Sequence, residues 1–329
     1  MSKRSTLNLR QISALCGFST CTVSRVLSGR AREFRITKAT EQHVLKVARA
    51  SGFRPNYLAH SLNTGRTHTI GLLFANRVDN YLGAILDGVE ARLRGTPNLI
   101  VVATCENDPQ ILREEMDAFS YRQVEGIILY PLAHFSSEPK AAAKVRPPAL
   151  PTVIIGRKGA WDTDEVMLND EQAGRTAARR ALAAGARTFA IFTNPSDCSS
   201  DRARVQAFRG ELLKSGTAAH HIAVHDDADA IGKQAKRLAS AQAFFGTNSG
   251  LLLSMIARLS GQPGFQPKYL GSVGEIGEPQ LLKYPVDGLP IPGRELGFQA
   301  ADLMLWRLEN RGPARHQRRR VDFSCPDRD

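Results

Sequence analysis

The chain has 329 residues, of which 42% are hydrophobic and 23% charged, and its formal net charge at pH 7 is +12. This composition excludes disordered, collagenous and disulfide-scaffold proteins, and the length favours two or three domains over one. The longest apolar runs, such as residues 99–103 and 127–129, are far shorter than the roughly 18 residues that a membrane-spanning helix needs.

The cysteines and the N-terminal residues indicate the cellular compartment. The five cysteines form no CxxC pair and are odd in number, which is typical of reduced thiols and excludes a zinc ribbon. The charged start, residues 1–4, is followed by no apolar stretch, so we expect no secretory signal. Together these features predict a cytoplasmic protein.

Most of the positive charge lies at one end of the chain. Residues 1–66 contain twelve Lys and Arg residues against two acidic residues, a formal charge of +10. The other 263 residues contain 32 basic and 30 acidic residues, a formal charge of +2. A short basic segment on a nearly neutral body favours a polyanionic partner. A solubilising tail is the weaker alternative, because this segment is also patterned to fold.

A first helix is predicted near the N-terminus. Asn8 is followed three residues later by Gln11, which is capping-box spacing and begins a helix directly after Asn8. Ile12 and Leu15 fall on one face of this helix. Gly17 is predicted to end it, because the residue after a helix commonly needs a positive φ.

A second helix is predicted after Ser19, with an apolar stripe at residues 23, 26 and 27. Two short helices joined by a tight turn that contains glycine are typical of a helix-turn-helix. A third helix is predicted from Thr37 to Gly52. The polar face of the second helix suits phosphates and base edges in a major groove. It carries Thr20, Cys21, Thr22, Ser24 and Arg25.

The next segment is a short helix-capable stretch between Pro55 and Gly65. It is too short to be stable alone, so we interpret it as a linker helix that orders against a partner. In one interpretation Leu62 is an apolar wedge in a minor groove. In the other, Leu58 and Leu62 pack on the body of the protein.

Three segments together resemble the lactose repressor (LacI/GalR) family of bacterial transcription regulators: residues 9–27 (LRQISALCGFSTCTVSRVL), 52–62 (GFRPNYLAHSL) and 64–73 (TGRTHTIGLL). The resemblance implies an N-terminal all-α helix-turn-helix headpiece in residues 1–54. It also implies a hinge helix and linker in residues 55–66, and an effector-binding and dimerisation body in residues 67–329.

The resemblance implies which residues contact DNA. Bases would be read by Thr20, Cys21 and Arg25. Phosphates would be held by Asn8, Ser19, Ser24, Thr37 and Asn56. In the hinge, Ala59 would allow close approach and Leu62 would intercalate at the centre of a palindromic operator. His60 stands where the family usually has arginine, which implies a weaker or pH-dependent contact in the minor groove.

The loop at residues 29–36 (GRAREFRI) is longer than is usual in the family. It adds Arg30, Arg32 and Arg35. Two interpretations stay open: extra contacts to the DNA backbone, or a solvated loop.

From residue 69 onward, short apolar runs alternate with helical patterns. The predicted strands are residues 70–74, 99–103, 126–129, 152–155, 189–192, 243–245 and 269–273, and the predicted helices are residues 81–93, 111–121, 171–183, 203–214, 230–239 and 249–258. This alternation favours doubly wound parallel sheets. The resemblance implies a periplasmic-binding-protein-like α/β body of two such subdomains. Subdomain 1 would be about residues 67–157 with 292–312, and subdomain 2 about residues 158–291 with 313–329.

Small ligands in such folds bind in the cleft at the carboxyl ends of the strands. The resemblance implies the candidate effector-binding residues, which are Arg204, Arg157, Asn248, Glu275, Asn80 and Tyr81. The family's acidic residue after Asn248 is replaced by Ser249, and its Gly-aromatic-Asp strand end reads Gly274, Glu275, Ile276. Three alternatives therefore stay open: a sugar, an acidic metabolite, or no effector.

Other patterns give no further function. Residues 220–227 contain three histidines and two aspartates, but their spacing matches neither HExxH nor a zinc finger, so a solvated edge is favoured. Arg315 and the arginines at residues 318–320 are predicted to form a solvated loop. We find no nucleotide-binding or hydrolase motif, and predict no cofactor and no catalysis.

These observations predict a sequence-specific DNA-binding regulator. We expect a dimeric repressor that binds a palindromic operator and responds to a small molecule in the cleft. The alternative from another class is a cytosolic solute-binding protein, and an enzyme is a distant third.

Overall fold

The structure of the chain, a computed structural model, describes residues 7–53, 61, 65–76, 79–133, 135, 145–194, 198–217, 238–277, 283–310 and 315–324. The chain divides into two compact units, Met1–Thr67 and His68–Asp329. In the described part of the chain, no helix is both long and apolar enough to cross a membrane.

The first unit contains three helices: α1 (Leu9–Cys16), α2 (Thr20–Leu27) and α3 (Lys38–Ala50). The three predicted helix starts are confirmed. The side chains of Asn8, Ser19 and Thr37 each accept a hydrogen bond from the backbone N–H three residues later. Gly17 ends α1 in the left-handed region, at φ +70°, as predicted.

The core of the first unit differs from the prediction at one position. Ile12, Val23 and Val44 are buried, but the side chain of Leu15 is 57% exposed. Cys16 is buried in its place. The helix is only eight residues long, so its buried face is set by where α2 and α3 lie rather than by hydrophobicity alone.

The second unit contains two parallel sheets. The strands of the first sheet are β1 (Thr69–Phe74), β2 (Leu99–Thr104), β3 (Gly126–Tyr130), β4 (Thr152–Gly156), β5 (Asp164–Leu168) and β10 (Arg318–Val321), in the order β10-β5-β4-β3-β1-β2. Those of the second sheet are β6 (Phe189–Phe192), β7 (Ala243–Gly246), β8 (Tyr269–Val273) and β9 (Asp287–Leu289), in the order β6-β7-β8-β9. Each predicted apolar run is one of these strands.

Helices follow the strands along the chain. They are α4 (Asn80–Leu93), α5 (Pro109–Tyr121), α6 (Asp170–Ala183), α7 (Ser199–Lys214), α8 (Ser249–Leu259) and α9 (Gly293–Glu309). The first five match the predicted helices to within a few residues, and α9 follows the second sheet. The helix predicted at residues 230–239 and the histidines at residues 220–225 lie outside the described residues, except for residues 238 and 239.

The first sheet extends further along the chain than predicted. We assigned residues 158–291 and 313–329 to subdomain 2, but β5 and β10 both belong to the first sheet. The search for apolar runs missed these two strands because they are short and carry charged residues. In β5 only alternate residues are buried, and three of the four residues of β10 are arginines.

The arginines of β10 do not form the predicted solvated loop. Arg318 lies 3.6 Å from Glu165, Arg319 pairs with Asp302 at 2.8 Å, and Arg320 lies 3.3 Å from Glu171. One buried ion pair beneath them supports this edge of the sheet. Arg307 of α9 donates to both carboxylate oxygens of Asp164 at 2.5 and 2.7 Å, and Asp164 also accepts from the backbone N–H of Gln317.

Two segments that leave the first sheet lie side by side. The chain leaves β5 through Asn169 and enters α6, which packs on β8. It leaves β10 through Asp322, and the next residue, Phe323, donates its backbone N–H to Gln172 of α6 at 2.9 Å. Between them, Asn169 donates to Asp322 at 2.6 Å and accepts from Arg320 at 2.5 Å.

Helices α4 and α9 touch through their backbones. A Cβ on Gly88 would lie 2.0 Å from the carbonyl oxygen of Arg294, and one on Gly297 would lie 2.0 Å from that of Ile85. Since real Cβ atoms do not approach oxygen this closely, only glycine permits the packing. Gly83 of the same helix pair has no atom within 4 Å of the corresponding position.

We therefore expect opposite effects from two alanine substitutions. Gly297→Ala should lower the free energy of unfolding by about 2 kcal/mol, because the helices must separate. Gly83→Ala should raise it by up to about 1 kcal/mol, because alanine is the better helix former. Urea denaturation followed by circular dichroism measures both, and equal effects would contradict the contact.

Candidate functional site

Two of the candidate effector residues, Tyr81 and Arg157, gather with Tyr130 at the carboxyl ends of β1, β3 and β4. Tyr81 lies in the first turn of α4, which follows β1, and Arg157 directly follows β4. Tyr130, the last residue of β3, lies between them. Its ring is 5.9 Å from that of Tyr81, nearly perpendicular to it, and 4.1 Å from the guanidinium carbon of Arg157.

A glycine permits this close arrangement. Gly156 has a φ of +77°, and a Cβ there would lie 2.8 Å from the ring of Tyr130 and 3.1 Å from the hydroxyl of Tyr81. Glycine therefore provides both the left-handed backbone and the space for the two rings.

Arg204, the leading candidate from sequence, is already occupied by protein partners. Its Nε and Nη2 lie 2.8 and 2.7 Å from Oδ1 of Asp170, and Nη1 donates to the carbonyl oxygen of Thr247 at 2.6 Å. Burial acts to lower the pKa of Arg204, but the charges of Asp170 and Asp201 outweigh it and raise the pKa. Arg204 thus joins α7 to the start of α6 and the end of β7.

Arg157 is equally buried, with only 6% of the residue exposed, but it lacks such partners. Its Nη1 donates to the Sγ of Cys198 at 3.7 Å. Its Nε and Nη2 are buried and have no hydrogen-bond partner among the described residues. An arginine stays protonated inside a protein, so this guanidinium keeps its charge.

The neighbouring phenols do not balance that charge. Burial raises the pKa of Tyr81 well above its usual value, and it also raises the pKa of Tyr130. Both groups are therefore neutral near pH 7. A buried cation without a counterion is costly, so the cluster is suited to an anion. The edge formed by Nε and Nη2 is the one that binds a carboxylate with two hydrogen bonds.

The other candidates lie at the same strand ends but are less enclosed. Asn80 and Glu275 are exposed, and they follow β1 and β8. Asn248 is half-buried and caps α8, because its side-chain oxygen accepts from the backbone N–H of Leu251 at 2.8 Å. The described contacts join none of these three to Arg157.

Sequence reasoning missed three residues of the cluster: Tyr130, Asp170 and Cys198. Tyr130 was detectable, since an aromatic residue ends the apolar run of β3. Asp170 gave no signal, because it pairs with an arginine 34 residues away. Cys198 is buried at the start of α7, and nothing in its local pattern separates it from a core thiol.

The first unit holds the candidate DNA-binding residues. Thr20 and Cys21 are exposed in the first turn of α2, while Ser24 and Arg25 are partly buried one turn later. The guanidinium carbon of Arg25 lies 3.7 Å from the ring centroid of Phe34, in the long loop. The oxygens of Asn8, Ser19 and Thr37 cap helices, as given above. Four hinge candidates, Asn56, Ala59, His60 and Leu62, lie outside the described residues.

Comparison with known proteins relates both units to one family. A family model described as "Periplasmic binding proteins and sugar binding domain of LacI family" matches residues 67–242. The HTH-type transcriptional regulator PtxS of Pseudomonas plecoglossicida is 30% identical over 315 residues, which cover 93% of this chain and 90% of PtxS. The ribose operon repressor of Escherichia coli K12 is 23% identical over 314 residues, with 91% and 92% coverage.

A solved structure has a similar fold along almost the whole chain. The lac repressor dimer bound to its operator and the anti-inducer ONPF superposes with a TM-score of 0.77. The superposition covers 97% of this chain and 98% of that one, at 16% sequence identity.

The two buried arginines should respond oppositely to methionine, which keeps the volume and removes the charge. Arg204→Met leaves Asp170 buried without its partner and should lower the free energy of unfolding by about 3 kcal/mol. Arg157→Met removes a charge without a counterion and should raise it by about 1 kcal/mol. Urea denaturation without ligand measures both, and a large loss in Arg157→Met would contradict the assignment of an unbalanced charge.

Proposed function

The chain belongs to the LacI family of transcriptional regulators, and from this premise we propose that it is a repressor that binds a palindromic operator as a homodimer and is controlled by an anionic effector. The observation that carries the DNA-binding part is the formal charge of +10 in residues 1–66, on a segment whose described part folds into three capped helices. This charge counts against the alternative of a solute-binding protein, whose function needs no basic head.

The proposed reader of DNA is α2, as the second helix of a helix-turn-helix in the headpiece, residues 1–54. Its exposed first turn offers the side chains of Thr20 and Cys21 to base edges. The backbone N–H groups at the start of a helix also favour phosphate. Residues 55–66 would serve as the hinge helix, with Leu62 entering the minor groove. The protein would act in the cytoplasm, where its operator lies.

The proposed dimer is supported by the edge of the first sheet. Strand β2 ends the sheet, and its side chains are open to solvent at Leu99, Val101 and Val102, of which Leu99 is 66% exposed. An exposed apolar edge strand favours association, because it offers unpaired backbone groups and apolar surface together. The lac repressor, similar in fold, is a dimer on its operator. A second copy is the occupant we propose for this edge.

The proposed effector is a small sugar-like acid. Arg157 would bind its carboxylate through Nε and Nη2, and the rings of Tyr81 and Tyr130 would pack against its carbon skeleton. Because both nitrogens are buried, the ligand would enter only when the cleft opens. An effector that favours one state of the cleft would then change operator affinity, and DNA would change effector affinity by the same factor.

DNA binding should show a steep dependence on salt. We expect the full chain to select a preferred duplex from a random-sequence pool, and its affinity for that duplex to fall at least about a thousandfold between 50 and 200 mM salt. Fluorescence anisotropy on the selected duplex and a scrambled one measures this. A chain that binds neither duplex at low salt would instead fit the solute-binding alternative.

Effector binding should require a carboxylate. In thermal unfolding of the full chain, a hexuronate such as glucuronate or galacturonate should raise the Tm by about 3 °C or more at saturation. The parent hexoses, glucose and galactose, are the matched controls and should not. Arg157→Met should abolish the shift. A neutral hexose that stabilises wild type and Arg157→Met alike would contradict the anionic site.

A further inference from the structure

The loop between α2 and α3 carries a phenylalanine whose ring faces cations rather than the core. The guanidinium carbon of Arg25 lies 3.7 Å from the ring centroid of Phe34, and that of Arg30 lies 5.0 Å from it. These distances are within the range of cation–π contacts. Phe34 thus sits against the one arginine of α2.

The loop holds this ring in place because the loop is itself folded. The backbone N–H of Phe34 donates to the carbonyl oxygen of Arg30 at 3.3 Å, and that of Ile36 donates to Ala31 at 2.9 Å. Ala31 is buried in the core of the unit, and Ile36 packs on it. The backbone on both sides of Phe34 is therefore held in place.

Phe34 itself is not part of that core. The apolar core of the described first unit contains residues of all three helices with Ala31, and Ile36 and Phe53 pack against it, without Phe34. The ring of Phe34 is partly buried, and it contacts the guanidinium groups of Arg25 and Arg30 outside that core. Replacing the ring should leave the unit folded.

The acidic residue of the loop, Glu33, is hydrogen-bonded to Arg30 and not to Arg25. Glu33 accepts from Nε and Nη2 of Arg30 at 2.8 and 2.6 Å. Hydrogen bonding to Arg30 lowers the pKa of Glu33, so the carboxylate is ionised and engaged with Arg30. The hydrogen bonds of Glu33 therefore leave the N–H donors of Arg25 available to another partner.

We infer that Phe34 is a positioning residue for recognition of DNA by Arg25. A guanidinium that rests on an aromatic face keeps its N–H donors in the plane of the group, directed away from the ring. Such donors match the two acceptors of guanine in the major groove. The long loop therefore restricts the rotamers of Arg25 before DNA is bound. This inference rests on the proposed function.

The test measures whether Phe34 acts through Arg25. The full chain first selects a preferred duplex from a random-sequence pool, and anisotropy then gives the affinities of wild type, Phe34→Leu, Arg25→Ala and the double variant at one salt concentration. Phe34→Leu should weaken binding to the selected duplex about fivefold, while binding to a scrambled duplex stays within about twofold. In the Arg25→Ala background, Phe34→Leu should have no further effect.

Two further variants separate positioning from folding. Phe34→Tyr keeps the aromatic face and should bind the selected duplex as wild type does. Phe18→Leu is the matched control, since Phe18 is an exposed phenylalanine of the same unit that contacts His43 instead, and its effect should be independent of Arg25. Circular dichroism of each variant reports whether the helices remain.

The outcomes separate this inference from the proposed function. If wild type selects a duplex and Phe34→Leu is without effect, or weakens binding equally with and without Arg25, the positioning role is overturned and the repressor remains. If wild type selects no duplex, the proposed function fails and the inference fails with it.

Discussion

A buried guanidinium is costly unless a carboxylate balances its charge. In the second unit, ion pairs of this kind hold helices and strands together. Asp164 balances the charge of Arg307 and thereby joins α9 to β5 and to the residues that lead into β10. Asp170 balances the charge of Arg204, and this pair holds the starts of α6 and α7 against the end of β7. Arg157 alone of these three lacks a carboxylate among the described residues. The same physical cost thus makes two arginines structural, whereas the third is buried without a balancing carboxylate among the described residues.

The first unit is stabilised by helix caps and a small core rather than by buried ion pairs. Its helices have 8, 8 and 13 residues, lengths that are marginal alone, so caps and a small shared core stabilise them together. Few of its polar side chains are deeply buried, and its charge is carried on the surface. Buried ion pairs therefore stabilise the second unit, whereas the cations of the first unit lie at its surface.

The sequence predicted those features that depend on residues close together in the chain. The caps at Asn8, Ser19 and Thr37 were found because a cap is satisfied within three residues. The central strands were found because burial on both faces makes them continuous apolar runs. Strands β5 and β10 were missed because their stability comes from partners distant in sequence. The engagement of Arg204 by Asp170 was beyond reach for the same reason, and the contact of Arg25 with Phe34 depends on the conformation of a loop that has no periodic pattern. The roles of all these residues toward ligand and DNA stay predictions.

The bonded pair of connections after β5 and β10 limits how the body can deform. Asn169 donates to Asp322 and thereby holds the segment after β5 next to the segment after β10. A movement of α6 away from β10 must therefore break this hydrogen bond and the one that joins Phe323 to Gln172.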